Sequence, residues 1–287
     1  MEGTSWKWLV TGAAGMLGTD LVDLLRSQGH EVTAAGRDTL DVTDEAALDR
    51  AVAGHDVVVN AAAWTAVDDA EEHEDQARAI NGTAPGALAR AAREHGARLV
   101  QISTDYVFDG SATSPYEEDA PATPRSAYGR TKASGEEAVR TELPDGHLIV
   151  RTAWLYGAHG GCFPKTIARV ARERGEVSVV DDQVGQPTWT VDVAGLVLAL
   201  VEADAPAGTY HATSSGRGTW FDFAQRVVVA AGLESSTVMP TTSDKFVRPA
   251  PRPAYSVLGH DALVRLGLEP IGDWESRWAE AATAVLA

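Results

Sequence analysis

The chain has 287 residues, 44% of them hydrophobic and 23% charged, with 41 acidic against 24 basic side chains for a formal net charge of −17. That apolar content offsets the entropy of ordering and excludes a disordered chain, and the length suits two lobes or one large α/β unit. Lys and Arg are scattered, so the acidic balance argues against nucleic-acid binding, and no window reaches the ~18 apolar residues of a membrane span.

The start, MEGTSWKW, has no basic region followed by an apolar stretch, and the single Cys162 has no internal disulfide partner, so the cytoplasm is the expected compartment. Residues 7–11 (KWLVT) are a short, β-prone apolar run. GAAGMLG follows, and then an amphipathic stretch with Leu21, Leu24 and Leu25 at helical spacing. The next run, EVTAAG, completes a strand, glycine turn, helix and strand in about 30 residues, a βαβ unit. The alternation continues, with EAALDRAVAG as a helix, DVVVNAAA as a strand, QARAINGTAPGALARAAREHG as a long helix, and RLVQIST and HLIVRTAWLYG as further strands. The run VVV has no polar alternation, the pattern of a strand covered on both faces. This succession predicts an α/β fold with a doubly wound parallel (Rossmann) sheet over residues 1–155.

Beyond about residue 150 the pattern loosens. FPKTIARVARERG reads as a basic, exposed helix, and an apolar helix around 190–203 is expected to return and pack on the sheet. The remainder mixes turns, one helix (within TWFDFAQRVVVAAG) and a proline-rich loop (DKFVRPAPRPAYS). Residues 156–287 are therefore expected to form mainly a smaller C-terminal substrate-binding lobe over the C-terminal edge of the sheet.

Gly12, Gly15 and Gly18 lie between the first strand and the first helix, where a diphosphate needs a tight turn and close backbone approach. A tight βα turn without a ligand would have the same spacing; the flanking strand and helix favour a dinucleotide. An acidic residue at the tip of the second strand would accept ribose hydroxyls. Here the run is Ala34-Ala35-Gly36-Arg37, and the Arg37 guanidinium suits a 2′-phosphate, so NADPH is expected; Asp38 keeps NADH possible. Tyr128 and Lys132 stand four apart, one turn from each other on one helix face. A phenol with a pKa near 10 is a poor acid–base group at neutral pH, and a neighbouring ammonium is expected to lower it. The same lysine can hold a nicotinamide ribose. Thr104, after Ser103 at the end of RLVQIST, sits where doubly wound sheets bind ligands, and its hydroxyl can meet a substrate carbonyl beside the tyrosine.

Taken together, these residues resemble the extended short-chain dehydrogenase/reductase family and, more narrowly, the dTDP-4-dehydrorhamnose reductases. The resemblance spans nearly the whole chain. It rests on GAAGMLG, DVTD at 41–44, NAAAWTAVDDAE at 60–71, STDYVFDG at 103–110 and SAYGRTKASGE at 126–136. RTAWLYG at 151–157, DDQVGQPT at 181–188, GTYHATSSGRGTW at 208–220 and PAPRPAYS also match. The resemblance implies an NADPH-dependent reduction of the C4 ketone of a dTDP-4-dehydro-6-deoxy-hexose. Catalysis would fall to Thr104, Tyr128 and Lys132. Gly15, Met16 and Leu17 would present amides to the diphosphate, Asp41 and Val42 would border the adenine, and Ala61, Ala62, Ala63, Trp64 and Thr65 would line the path to the nicotinamide. Thr104, Asp105, Tyr128, Trp154, Trp220 and Arg252 would contact the substrate, and Asn81 would steady the site.

Departures are local. Gly161-Cys162-Phe163 stands where relatives often carry asparagine before the phenylalanine, and Cys162 reads as a packing residue. Some relatives dimerise through carboxylates around Mg²⁺. Asp20 can stand at one such position, but Val191 occupies another, and no ligand spacing points to a catalytic metal. The expected partner is a dTDP-linked 4-keto sugar, with a monomer or homodimer as the assembly. Two rival readings are a sugar-nucleotide epimerase or dehydratase on the same fold and a non-catalytic regulatory subunit. The intact Thr104, Tyr128 and Lys132 set argues against the second.

Overall fold

The structure, a computed structural model, describes residues 5–287. Strand β1 (Lys7–Thr11) leads through the glycine turn into α1 (Met16–Ser27), then β2 (Glu31–Ala35), α2 (Glu45–Val52) and β3 (Val57–Asn60). The expected long helix is α3 (Glu74–Arg78) and α4 (Ala84–His95) joined by a π-helical turn at Ala79–Thr83. After them come β4 (Arg98–Thr104), α5 (Ala127–Glu142) and β5 (His147–Thr152). All the sheet pairings are parallel, and the order is β2-β1-β3-β4-β5 followed by a sixth strand, Gly208–His211. That sixth strand departs from the reading of residues 208–220, which assigned them to the smaller lobe. The order reverses between β1 and β3, and in such sheets ligands bind outside the strand ends at that switch point.

Side chains alternating along the strands feed two cores. On one face, Trp8, Val10, Val57, Val59, Val100 and Leu148 pack against α1 and the returning helix, α7 (Thr190–Glu202). On the other, Leu9, Val58, Leu99 and Ile149 meet α2, α4 and α5. The three valines of β3 are all buried, as their unbroken apolar run predicts. A third core, around Tyr156, Phe223, Trp274 and Trp278, is built by α6 (Phe163–Arg174), α8 (Trp220–Ala230) and, after the short α9 (Asp261–Arg265), α10 (Trp274–Leu286). Helix α6 is therefore not the exposed helix its basic residues suggest. Ile167, Ala168 and Ala171 recur at helical spacing and bury one face, while its arginines take the other. No helix is long and apolar enough to cross a membrane among the described residues.

Beneath the C-terminal edge of the sheet lies a buried ion-pair network. Glu136, on α5, accepts from Ser103 Oγ (2.6 Å) and Arg151 Nε (2.9 Å) through Oε1, and from Arg151 Nη2 (2.8 Å) and Arg140 Nη2 (2.9 Å) through Oε2. Burial opposes the charge, yet the arginines and Ser103 hold the Glu136 carboxyl below its ordinary range. A depressed carboxyl contributes stability above its unfolded pKa and loses it as pH falls through the folded value. Replacing Glu136 with Leu strands the Arg151 charge in the interior. The expected loss is about 3–5 kcal/mol at neutral pH, narrowing toward acid as the wild-type carboxyl itself protonates; urea denaturation at the two pH values measures both.

Candidate active site

Gly12 opens the turn after β1 at φ +67°, where a Cβ would lie 2.6 Å from the Ala62 nitrogen and 2.7 Å from the Ala61 carbonyl. At Gly18 a Cβ would fall 2.2 Å from the Gly12 oxygen, so the start of α1 is pressed directly onto the turn. Gly15 precedes α1 in extended conformation, and Met16, Leu17 and Gly18 form the helix's first turn, whose N–H groups lack intrahelical acceptors. A cradle that any side chain would fill, with free amides aimed at its mouth, fits the diphosphate of a dinucleotide. Ala13 N donates to Ala35 O (3.2 Å) and Ala61 N to Thr11 O (3.2 Å), which brings the tip of β2 and the segment after β3 to the same edge.

Arg37 lies exposed just beyond β2. The Asp41 carboxyl accepts from the Thr43 hydroxyl (2.7 Å) and amide (2.9 Å), and those bonds hold it below its usual range. Val42 packs on the core beneath. Ala61, Ala62, Ala63 and Trp64 are half-buried and Thr65 is exposed. Asn81, in the π-turn, clamps this segment: its Oδ1 accepts from Trp64 N (2.9 Å), and its Nδ2 donates to Trp64 O (3.1 Å) and Thr131 Oγ1 (3.2 Å). One amide thus ties the loop after β3 to α5.

Helix α5 starts under tight local control. Ser126 Oγ caps it by accepting from Gly129 N (3.1 Å), and Ala127 N donates to Glu71 (2.7 Å). A Cβ on Gly129 would come within 2.2 Å of the Tyr106 oxygen, so only glycine lets the first turn seat here. Tyr128 is held by that turn, with its ring edge-on to Tyr106 at 5.5 Å between centroids. Burial pushes the Tyr128 phenol up to about 12; the nearby Thr104 side chain opposes the shift, and the Asp105 charge adds to it.

The expectation that Lys132 lowers the phenol's pKa is not met. Its buried Nζ donates to Ile102 O (2.6 Å), and burial brings the ammonium itself down to about 8, against the pull of Glu136. Thr104 Oγ1 donates to Asp105 Oδ1 (2.9 Å) and accepts from Tyr106 N (3.2 Å). Asp105 is only 2% exposed, and its Oδ2 has no hydrogen-bond partner among the described residues. Burial pushes that carboxyl up to about 6, with Ser256 and Thr104 opposing; Ser256 approaches without completing a hydrogen bond.

Thr104, Asp105, Tyr128 and Lys132 thus meet at the end of β4. Arg252 joins them through Tyr106, across a 40 Å³ cavity also lined by Phe108, Arg125 and Ser126. Its Nη2 donates to Asp68 Oδ2 (2.9 Å), while Ala250 N donates to Asp68 Oδ1 (3.2 Å). Trp154 and Trp220 are paired instead with each other, stacked at 3.6 Å with an 8° tilt. Trp154 takes φ +47°, and a Cβ on Gly185 would lie 2.4 Å from its ring. Cys162 precedes α6 and contacts Gly157 O (3.7 Å), a packing position. The sequence reading passed over Tyr106, Asp68 and Ser256. The first two lie inside motifs that it quoted, STDYVFDG and NAAAWTAVDDAE, and Ser256 closes PAPRPAYS.

Gly12→Ala meets both a forbidden φ and backbone contacts that cannot yield. A loss of about 1–3 kcal/mol is expected from the strained conformation, together with weakened dinucleotide binding; thermal unfolding and fluorescence titration read the two separately.

Residues 6–286 match the family model described as the RmlD substrate binding domain. A dTDP-4-dehydrorhamnose reductase of Streptomyces griseus is 51% identical over 285 residues, covering 97% of this chain and 94% of the relative. A probable dTDP-4,6-dihydroxy-2-methyloxan-3-one 4-ketoreductase of Streptomyces antibioticus is 50% identical over 284 residues, covering 98% of this chain and 96% of its own. The crystal structure of the Bacillus anthracis dTDP-4-dehydrorhamnose reductase in complex with NADP superposes with a TM-score of 0.92 at 33% identity, covering 97% of this chain and 99% of that one.

Proposed function

The chain belongs to the dTDP-4-dehydrorhamnose reductase family, and on that premise we propose that it reduces the C4 ketone of a dTDP-4-dehydro-6-deoxy-hexose, with NADPH as the donor. The observation that carries this reading is the Tyr128 phenol, protonated throughout the neutral range and half-buried beside Thr104 at the ligand-binding end of β4.

Bound NADPH supplies the hydride that C4 accepts. Gly12, Gly15, Met16, Leu17 and Gly18 hold its diphosphate, Arg37 its 2′-phosphate, and Asp41 and Val42 border the adenine. Ala61, Ala62, Ala63, Trp64 and Thr65 line the path to the nicotinamide, and Lys132 reaches its ribose. Tyr128 gives its hydroxyl proton to the oxygen left on C4. A phenol at about 12 is a weak acid in water, yet the alcohol that forms is weaker still, so the transfer runs downhill. Thr104 donates to the same oxygen as negative charge builds there, an interaction stronger in the transition state than in the ground state. Arg252 suits the sugar nucleotide's diphosphate through its planar fork, and the half-buried Trp154–Trp220 stack is assigned to the sugar.

The proposed compartment is the cytoplasm, and the proposed assembly is a monomer or homodimer. The lobe division at 155/156 belongs to the same proposal, with α7 and the strand Gly208–His211 crossing back to the sheet.

Absorbance-monitored oxidation of NADPH in the presence of the 4-keto sugar tests the reaction. One NADPH consumed per sugar separates a reductase from an epimerase or dehydratase that regenerates its cofactor. Tyr128→Phe is expected to lose roughly 10²–10⁴-fold in kcat with NADPH binding retained, and normal turnover by that variant would overturn the assignment. Arg37→Glu should raise KM for NADPH by about 10–100-fold, the worth of a charged hydrogen bond, and leave KM for NADH nearly unchanged.

A further inference from the structure

A hydroxyl has one hydrogen to donate and two lone pairs to accept with. At Thr104 that hydrogen goes to Asp105 Oδ1 at 2.9 Å, and one lone pair accepts from Tyr106 N at 3.2 Å. The second lone pair is left for Tyr128, whose phenol approaches the Thr104 side chain without completing a hydrogen bond. An ionised Asp105 accepts only, and its charge about doubles the strength of the bond it receives. In that state the Thr104 hydrogen points at Asp105 and the remaining Thr104 lone pair attracts the Tyr128 hydrogen, so both hydrogens needed at the ketone are drawn inward.

We infer that Asp105 must carry a proton for the site to act: a protonated Asp105 donates to Thr104, fills its second lone pair, and turns both the Thr104 and Tyr128 hydrogens out toward the ketone oxygen. No bond to substrate changes in this step. The proton on Asp105 comes from solvent and stays through the cycle, while the one that Tyr128 gives up is replaced from solvent. Burial and the partnerless Oδ2 leave the ionised form short of the hydrogen bonds it would have in water. The titratable and charged groups around Asp105 are few. They are Tyr106 on its own segment, Tyr128 from α5 and, beyond Tyr106, the Arg252–Asp68 pair; Lys132 is turned to Ile102.

This inference rests on the reductase reading, so its test has a part that needs no substrate. In the enzyme assay between about pH 5 and pH 9, kcat/KM should fall about tenfold per unit above the ionisation of Asp105. Asp105→Asn has an amide that donates to Thr104 at every pH, and Thr104→Val has no hydrogen to divert, so both should lose that falling limb whatever their plateau rates. A limb kept by either variant, or a flat wild-type profile, overturns the inference. Should Asp105→Asn fail to fold, the Thr104→Val profile decides. In the unliganded protein, infrared difference spectra across the same range should show a carboxylic-acid carbonyl band. It should be missing from Asp105→Asn and shifted in Thr104→Val; its absence from wild type also overturns the inference. The expected band without any turnover of 4-keto sugar by wild type would sink the reductase reading and leave the Asp105 titration standing.

Discussion

The carboxylate of Glu136 is where helix α5 is fastened to the sheet, and the chemistry at the end of β4 depends on that fastening. It binds Ser103 on β4 and Arg151 on β5, one turn along α5 from Lys132 and two from Tyr128. A charge this deep is tolerated only because each oxygen has two partners. The return is positional. With Ser103 held, Thr104 next to it is held, and the distance between the strand end and the first turn of α5 is set by hydrogen bonds rather than by apolar contact alone.

Three further restraints close around the same place. Asn81 ties the segment after β3 to α5, so that loop and the start of the helix share one reference. Asp68 holds the proline-rich loop through Arg252 and the Ala250 amide, tying that loop to the segment after β3. Glycine at 129 lets α5 begin directly on Tyr106. The π-turn that carries Asn81 belongs to this logic, because π-turns inside helices are frequent at functional sites.

The parts legible in the sequence are those written in local pattern. The buried valines of β3, the glycine spacing and the Tyr128–Lys132 turn each follow from backbone geometry over a few residues. What escaped the pattern depends on residues far apart in the chain. Strand Gly208–His211 carries the mixed sequence GTYH, and only its pairing with β5 makes it part of the sheet. The burial of α6 needs α8 and α10 to be in place. Lys132 was assigned to the phenol by helical spacing, which puts two residues on one face but leaves open which acceptor the ammonium meets; the Ile102 carbonyl meets it first. Asp105 reads as a polar residue in a loop, and the upward shift of its carboxyl arises from a burial that the local sequence does not encode.

The sixth strand and α7 also govern the order in which the molecule can assemble. Residues 1–155 emerge first from the ribosome, but β5 then presents an open hydrogen-bonding edge, and the face of α1 that α7 later covers stands in water. The α1 face is not covered until residue 202 has been made, and the β5 edge not until residue 211. The sheet is thus completed by long-range contacts, which fold slowly, and the nascent chain carries sticky surface for some sixty residues of synthesis. Expression of residues up to 155 alone would leave that surface exposed, so they and the later segments that complete their sheet and cover α1 act as one folding unit.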